Sequence, residues 1–221
     1  MVNVAIDGFT GCGKTTLTKA LCEKTGFKML DTGAIFRGIA CAFVDGGLEE
    51  MNDEVVDRFV QDLKVEAKFI DDKQHVFVNG VDQTANLRTE KISQMASKIS
   101  AFAKVREFMV KISRDFASKN DCIVEGRDIG SVVLPNAQVK IFLTADEKVR
   151  AQRRLDQLHQ MGKEAIFDDV LKDLQERDYR DSHREVAPLK KVDDAVLVDN
   201  TNMSFEETIN HCLNIISEKT K

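Results

Sequence analysis

The first residues able to do chemistry are Gly8-Phe9-Thr10-Gly11-Cys12-Gly13-Lys14-Thr15. They fit G-x-x-x-x-G-K-[ST], a loop whose backbone N–H groups, with the N-terminus of the next helix, cradle phosphate oxygens. Its glycines allow dihedrals and close approach that side chains would block. Lys14 places a point charge on the β- and γ-phosphates of a bound nucleotide. Thr15 or Thr16 offers a hydroxyl to Mg²⁺, directly or through water. Cys12 reads as a tolerated small residue rather than a redox switch, although a helix N-terminus favours a thiolate.

A second set is made of arginines. Arg37 follows Asp31-Thr32-Gly33-Ala34-Ile35-Phe36, and Arg127 sits in Glu125-Gly126-Arg127-Asp128, after the apolar run Cys122-Ile123-Val124. In a parallel α/β sheet the carboxyl ends of strands line the ligand crevice, so Arg127 and Asp128 should open onto the crevice that holds the phosphate loop. Arg150, Arg153 and Arg154 share one helix, and Arg177, Arg180 and Arg184 recur at spacings that allow one helical face. The two helices, joined through Gly162-Lys163, read as a mobile flap. A guanidinium suits this work because its planar fork grips phosphate oxygens and keeps its proton. Each arginine taken alone also fits a solvated charge, or a surface ladder with Asp173, Glu176 and Asp181.

The elements that must position these groups follow from apolar spacing. Val2 to Ile6 is a short strand, Thr15 to Lys24 a helix stopped by Gly26, and Phe27 to Leu30 a second strand. A helix carries Ile35, Ile39, Ala42 and Phe43 on one face and ends at Gly46-Gly47. Val65, Ala67 and Phe69, then Val76 and Val78, alternate with polar residues on either side of Asp71-Asp72-Lys73-Gln74, and Asn79-Gly80 is a strong turn signal. That segment reads as a small antiparallel insert. Leu87 to Lys119 is helical, as two helices. Cys122 to Val124, Val139 to Leu143 and Ala195 to Val198 are strands. Thr144-Ala145-Asp146-Glu147 and Ser204-Phe205-Glu206-Glu207 read as capping boxes. Short apolar strands alternating with amphipathic helices imply an α/β fold, a parallel sheet covered on both faces.

Composition bounds the partners. The chain has 221 residues, 43% hydrophobic and 31% charged, and a formal net charge of −5. A general nucleic-acid or membrane binder would carry the opposite sign. No stretch approaches the roughly 20 apolar residues that span a bilayer. The N-terminus reads as a strand rather than a signal peptide. The five cysteines are odd in number and the four histidines lie far apart, which predicts reduced thiols, no zinc site and a cytoplasmic protein.

These segments together resemble bacterial cytidylate kinase, a P-loop nucleoside monophosphate kinase, from end to end. The resemblance rests on Asp31 to Arg37, Leu87-Arg88-Thr89-Glu90, Val105-Arg106-Glu107 and Gly126-Arg127-Asp128-Ile129-Gly130, then Val139 to Leu143 and Glu176-Arg177-Asp178 through Leu189. It implies a three-layer P-loop kinase fold forming one domain over residues 1–221. The core would be 1–62, 86–145 and 187–221, the acceptor-side insert about 63–85 and the flap about 146–186.

Roles are implied position by position. ATP would lie on Gly8 to Thr16, with Asp199-Asn200-Thr201 near its adenine and Thr201 in contact. Arg37, Arg127 and Arg184 would hold the phosphate of CMP or dCMP. Ser97, Arg106 and Asp128 would read the cytosine, Arg177 and Asp181 would contact the ribose, and Thr32 and Phe36 would line the acceptor site. Arg153 would close over the transferring phosphoryl, joining Lys14, Arg127 and Arg184 in catalysis. A monomer is the family expectation. Phe36 stands where tyrosine is usual, Thr32 where serine is, Phe9-Thr10 where Pro-Ser is common, and Thr15 where glycine is frequent. Alternatives are a kinase for UMP or AMP, or a P-loop switch or motor, for which Glu125 would be the metal-holding acid ending its strand.

Overall fold

The computed structural model describes residues 1–48, 51–71 and 73–220. The chain runs β1 (Asn3–Gly8), α1 (Lys14–Thr25), β2 (Lys28–Asp31), α2 (Thr32–Asp45), α3 (Asp53–Gln61), β3 (Val65–Ile70), β4 (Lys73–Val78) and β5 (Val81–Asp82). It continues α4 (Glu90–Ile99), α5 (Ala103–Lys119), β6 (Cys122–Gly126), β7 (Val139–Thr144), α6 (Glu147–Gln160), α7 (Phe167–His183), β8 (Val196–Asp199) and α8 (Phe205–Lys219). A π-helical turn, Ile129–Val133, follows β6. The chain divides into two compact units, residues 1–29 with 120–221, and residues 30–119.

The first unit is built on a five-stranded sheet ordered β2-β6-β1-β7-β8. β1 runs parallel to β6 and β7, and β7 parallel to β8, as unbroken apolar strands predict. Val4, Ile6, Ile123, Val139, Ile141 and Leu143 are at most 1% exposed, and Leu17 and Leu21 of α1 and Cys212 and Ile215 of α8 pack with them. Each such side chain removed from water stabilises by about 1.5–3 kcal/mol. Gly8 ends β1 at φ 150°, where a Cβ would lie 2.0 Å from the Leu143 carbonyl oxygen, so β1 turns into the phosphate loop only with glycine there. α6 and α7 pack through Ala151, Val170 and Leu174.

One expected cap moves. Thr144 stays in β7, paired with Asp199, and its carbonyl accepts from Asn200 N at 2.9 Å. α6 therefore starts later, and Asp146 caps it by accepting from Lys148 N and Val149 N. Ser204 and Glu207 do form the reciprocal capping box of α8.

The second unit carries α2 to α5 and a three-stranded antiparallel sheet ordered β3-β4-β5. The strands reach further than the alternation predicts: Lys73 and Gln74, read as part of a separator, already pair in β4 with Ile70 and Phe69. Asp72 of that separator lies outside the described residues. Asn79 and Gly80, at φ 50° and 81°, turn the chain into β5, a short strand that the sequence pattern left out. α3 too lies outside the sequence pattern, since its nine residues make only about two and a half turns; Val56 and Val60 are its buried face. Gly38 lets α2 lie against the insert, since a Cβ there would come within 2.4 Å of Val76 Cγ1. The Phe43 and Phe59 rings meet tilted with centroids 4.4 Å apart, and Phe69 stacks on Phe116 at 5.2 Å.

Candidate active site

In the first unit the site grows from the loop between β1 and α1. Lys14 opens α1 and its ammonium folds back onto the loop, donating to the carbonyls of Gly8 at 2.8 Å and Phe9 at 2.7 Å. Burial, then the charge of Arg127, pushes its pKa down to about 7. Cys12 is fully buried and burial raises its thiol pKa, which leaves it protonated and unreactive near neutrality. Thr15 is half-buried and Thr16 exposed at the start of the helix.

β6 ends beside β1, with Asp7 opposite Gly126, so Arg127 emerges next to the loop as its position after a parallel strand predicts. Its Nη2 donates to Thr10 Oγ1 at 3.1 Å and its Nε to Asp181 Oδ2 at 2.8 Å. Burial alone would lower the Arg127 pKa, but Asp181 raises it. Burial alone would raise Asp181, and Arg127 with Arg177 holds it below the usual carboxylate range. Arg184 closes the group: Nη2 donates to Asp128 Oδ1 at 3.3 Å and Nε to the Ala187 carbonyl at 2.7 Å. Arg177, Arg180 and Arg184 do not act as one face. Arg184 lies past the end of α7 in extended backbone, and Arg180 is exposed with its Nε on the Glu176 carbonyl.

Arg153 is held by Asn200, donating from Nη1 to Oδ1 and from Nη2 to the carbonyl, both at 3.0 Å. Asn200 Nδ2 donates in turn to the Cys12 carbonyl at 3.1 Å, which ties the strand-end segment to the loop. Thr201 accepts from Asp146 N at 2.8 Å.

Asp7, next to the last residue of β1, belongs to no motif of the sequence. Its oxygens accept from Ile129 N at 2.7 Å and Gly130 N at 2.8 Å, fixing the turn that follows Asp128. Burial pushes its pKa up to about 6 against those two bonds. An acid at the end of an apolar strand was the available signal.

The second unit holds the remaining predicted residues. Asp31 caps α2 by accepting from Ala34 N at 2.8 Å, and its other oxygen accepts from Arg37 Nη2 at 3.0 Å. Gln74 of β4 holds the Asp31 backbone from both sides, accepting from its N–H at 2.7 Å and donating to its carbonyl at 3.1 Å. Arg37 Nε is buried with no hydrogen-bond partner among the described residues. Arg106 is buried, donates to the Ser100 carbonyl at 2.9 Å and lies 5.7 Å from the centre of the Phe36 ring. Ser97 is half-buried on α4, and Thr32 is buried in the first turn of α2.

A parallel sheet ordered 2-3-1-4-5 in core strands, a glycine loop after its central strand and arginines at the neighbouring strand end define a P-loop kinase. The family model for cytidylate kinase matches residues 4–218. The chain is 42% identical over 218 residues to a cytidylate kinase of Thermosipho melanesiensis, covering 99% of this chain and 98% of that one. It is 38% identical over 221 residues to a cytidylate kinase of Lactobacillus johnsonii, covering 100% and 96%. It belongs to the cytidylate kinase family. A crystal structure of an uncharacterised protein from Eubacterium ventriosum shares the fold, at TM-score 0.54 and 11% identity, covering 98% of this chain and 99% of that one.

Proposed function

We propose that this chain transfers the γ-phosphate of ATP to CMP or dCMP, giving ADP and CDP or dCDP. The observation that carries the reading is the bond from Arg127 to Thr10, which holds a guanidinium against the phosphate loop. Gly8 to Thr16 take the ATP phosphates and Thr201 lies toward its adenine. Arg37, Arg127 and Arg184 take the acceptor phosphate, and Arg177 and Asp181 its ribose. Thr32 and Phe36 line the acceptor site.

Cytosine presents an N4 donor beside N3 and O2 acceptors. Asp128 accepts from N4, while Arg106 and Ser97 donate to N3 and O2. Uracil turns an acceptor toward the carboxylate, and an unpaired buried polar group costs about 1–3 kcal/mol.

The acceptor phosphate is largely dianionic near neutrality, with a second pKa of about 6, so no general base is needed. The barrier is the repulsion of two polyanions. Lys14, Arg127, Arg153 and Arg184 offset it and stabilise the charge of an in-line transfer. Among the described residues no group of three or more His, Cys, Asp or Glu could hold a metal. Hard-oxygen donors and ATP itself fit Mg²⁺, which keeps several waters, and the hydroxyl of Thr15 or Thr16 would complete that set. When bound it neutralises phosphate charge.

The reading takes the chain as one kinase domain, with an insert at 63–85 and a flap at 146–186 that excludes water as a competing acceptor. It also takes a cytoplasmic monomer, without nucleic-acid or membrane partners. The net charge of −5 supports this, and among the described residues no helix is long and apolar enough to cross a membrane.

A coupled ADP-release assay with CMP, dCMP, UMP and AMP tests the proposal. CMP and dCMP are expected to be the best acceptors; no diphosphate from either would end it.

A further inference from the structure

All three polar groups of Thr10 are held by charged side chains. Its hydroxyl accepts from Arg127, its N–H donates to Asp178 Oδ1 at 3.0 Å, and its carbonyl accepts from Arg150 Nη1 at 2.9 Å. Arg150 and Asp178 also pair with each other, and their side chains are 8% and 12% exposed. One buried ion pair therefore grips both backbone groups of a single phosphate-loop residue. Arg150 is fixed further by its Nε on the Ala145 carbonyl at 3.0 Å and by the Phe9 ring, 5.3 Å from its guanidinium.

We propose that Arg150 and Asp178 are positioning residues, a clamp that sets the phosphate loop for ATP. The inference rests on the kinase reading above. Stability alone is a poor reason for such a pair, because desolvation of two ions offsets most of their attraction and apolar substitutes often serve as well. The pair supplies placement. Asp178 fixes the direction of the Thr10 N–H and Arg150 that of the carbonyl, so the peptides on either side of Thr10 cannot rotate independently. Arg150 also neutralises the Asp178 carboxylate that sits against the phosphate loop. Arg150 lies on α6 and Asp178 on α7, so the seating of both flap helices and the conformation of the loop are set together.

The test is steady-state kinetics with ATP and CMP varied separately, beside ATP affinity by calorimetry and hydrogen exchange of the Thr10 amide. Asp178→Ala is expected to lower kcat/KM for ATP by roughly five- to a hundred-fold, the equivalent of a buried donor left unpaired. KM for CMP should stay nearly unchanged, and Thr10 exchange should accelerate. Asp178→Asn, which keeps an acceptor for the Thr10 N–H, should fall between. Arg150→Met should be worse than the double variant Arg150→Met/Asp178→Asn, since the single change strands a carboxylate.

Wild-type ATP kinetics in Asp178→Ala would overturn the clamp, and so would equal losses on the ATP and CMP sides. If Asp178→Ala does not fold, Asp178→Asn and the double variant decide. Unchanged ATP kinetics in the first, or no rescue in the second, overturns the proposal. A wild-type protein that makes no CDP would overturn the kinase reading instead; ATP affinity and Thr10 exchange would still test the clamp.

Discussion

The two units hold their charged side chains in different ways. In the unit of residues 1–29 and 120–221 the bonds join distant parts of the chain. Thr10 and Asp178 are 168 residues apart, Arg127 and Thr10 117, Arg184 and Asp128 56, and Arg127 and Asp181 54. In the unit of residues 30–119 most are local: Arg37 is six residues from Asp31 and Arg106 six from the Ser100 carbonyl. Gln74, 43 residues from Asp31, is one exception among the described residues. A group held across the fold is fixed only while the fold stands, and its partner is left buried when it is removed. A group held by a near neighbour in the chain loses little beyond itself. The γ-phosphate transfer needs preorganised charge, and the unit with the phosphate loop is where the structure has built it.

Changes on the cross-linked side should therefore be large. Lys14→Ala removes the cation nearest the loop carbonyls, and kcat should fall by about two to three orders of magnitude in the ADP-release assay. Arg127→Ala should cost a similar factor in kcat/KM for CMP. It should also destabilise the fold by about 3–5 kcal/mol in urea unfolding, because buried Asp181 loses its ion-paired, hydrogen-bonded partner and keeps only the fields of Arg177 and Arg184. A stability loss no greater than that of Arg37→Ala would break the contrast between the units.

Proton linkage sharpens the same contrast. With Lys14 depressed to about 7, ATP that restores its charge should take up a proton above pH 7 and none near pH 5, read by calorimetry in buffers of different ionisation enthalpy. The same shift means that the unfolded chain holds the extra proton between pH 7 and 10.5, so the Lys14 contribution to apo stability rises across that window. Asp7 works in the opposite direction. Its unfolded carboxyl ionises near 3.8 and its folded one near 6, so the folded state holds the extra proton between them. Its contribution to stability should fall as pH rises from about 4 to 6, and Asp7→Asn should flatten that part of the profile in urea titrations.

Smaller effects belong to the local side. Asp31→Ala removes the cap of α2, worth about 1 kcal/mol, and should raise KM for CMP several-fold by freeing Arg37. Phe36→Tyr should leave kcat unchanged and lower KM for CMP by no more than a few-fold, about the worth of one neutral hydrogen bond. A larger gain would give the hydroxyl a part in reading the base.

The legibility of the site follows the same division. The phosphate loop, the Ser204 cap, the Asn79-Gly80 turn and the antiparallel insert are local signals, and each was readable from a few adjacent residues. The Thr144 cap was misread because its carbonyl is claimed by Asn200, 56 positions later in the chain, through the β7–β8 pairing. α3, at nine residues, and β5, at two, were too short to announce themselves. Arg37, Arg127 and Arg184 stand in spaced motifs that single them out in the sequence, whereas Arg150 and Asp178 could not be told from surface ion pairs before their burial was known.

What the amino-acid order determined alone was the set of chemical groups, the strand and helix periods that carry them and the family to which they belong. Periodicity and turn chemistry act over a handful of neighbouring residues, and a linear pattern records them. The tertiary structure decided which acid meets which base. That choice depends on distances across the fold and on the water excluded there, and neither is written in any one stretch of chain.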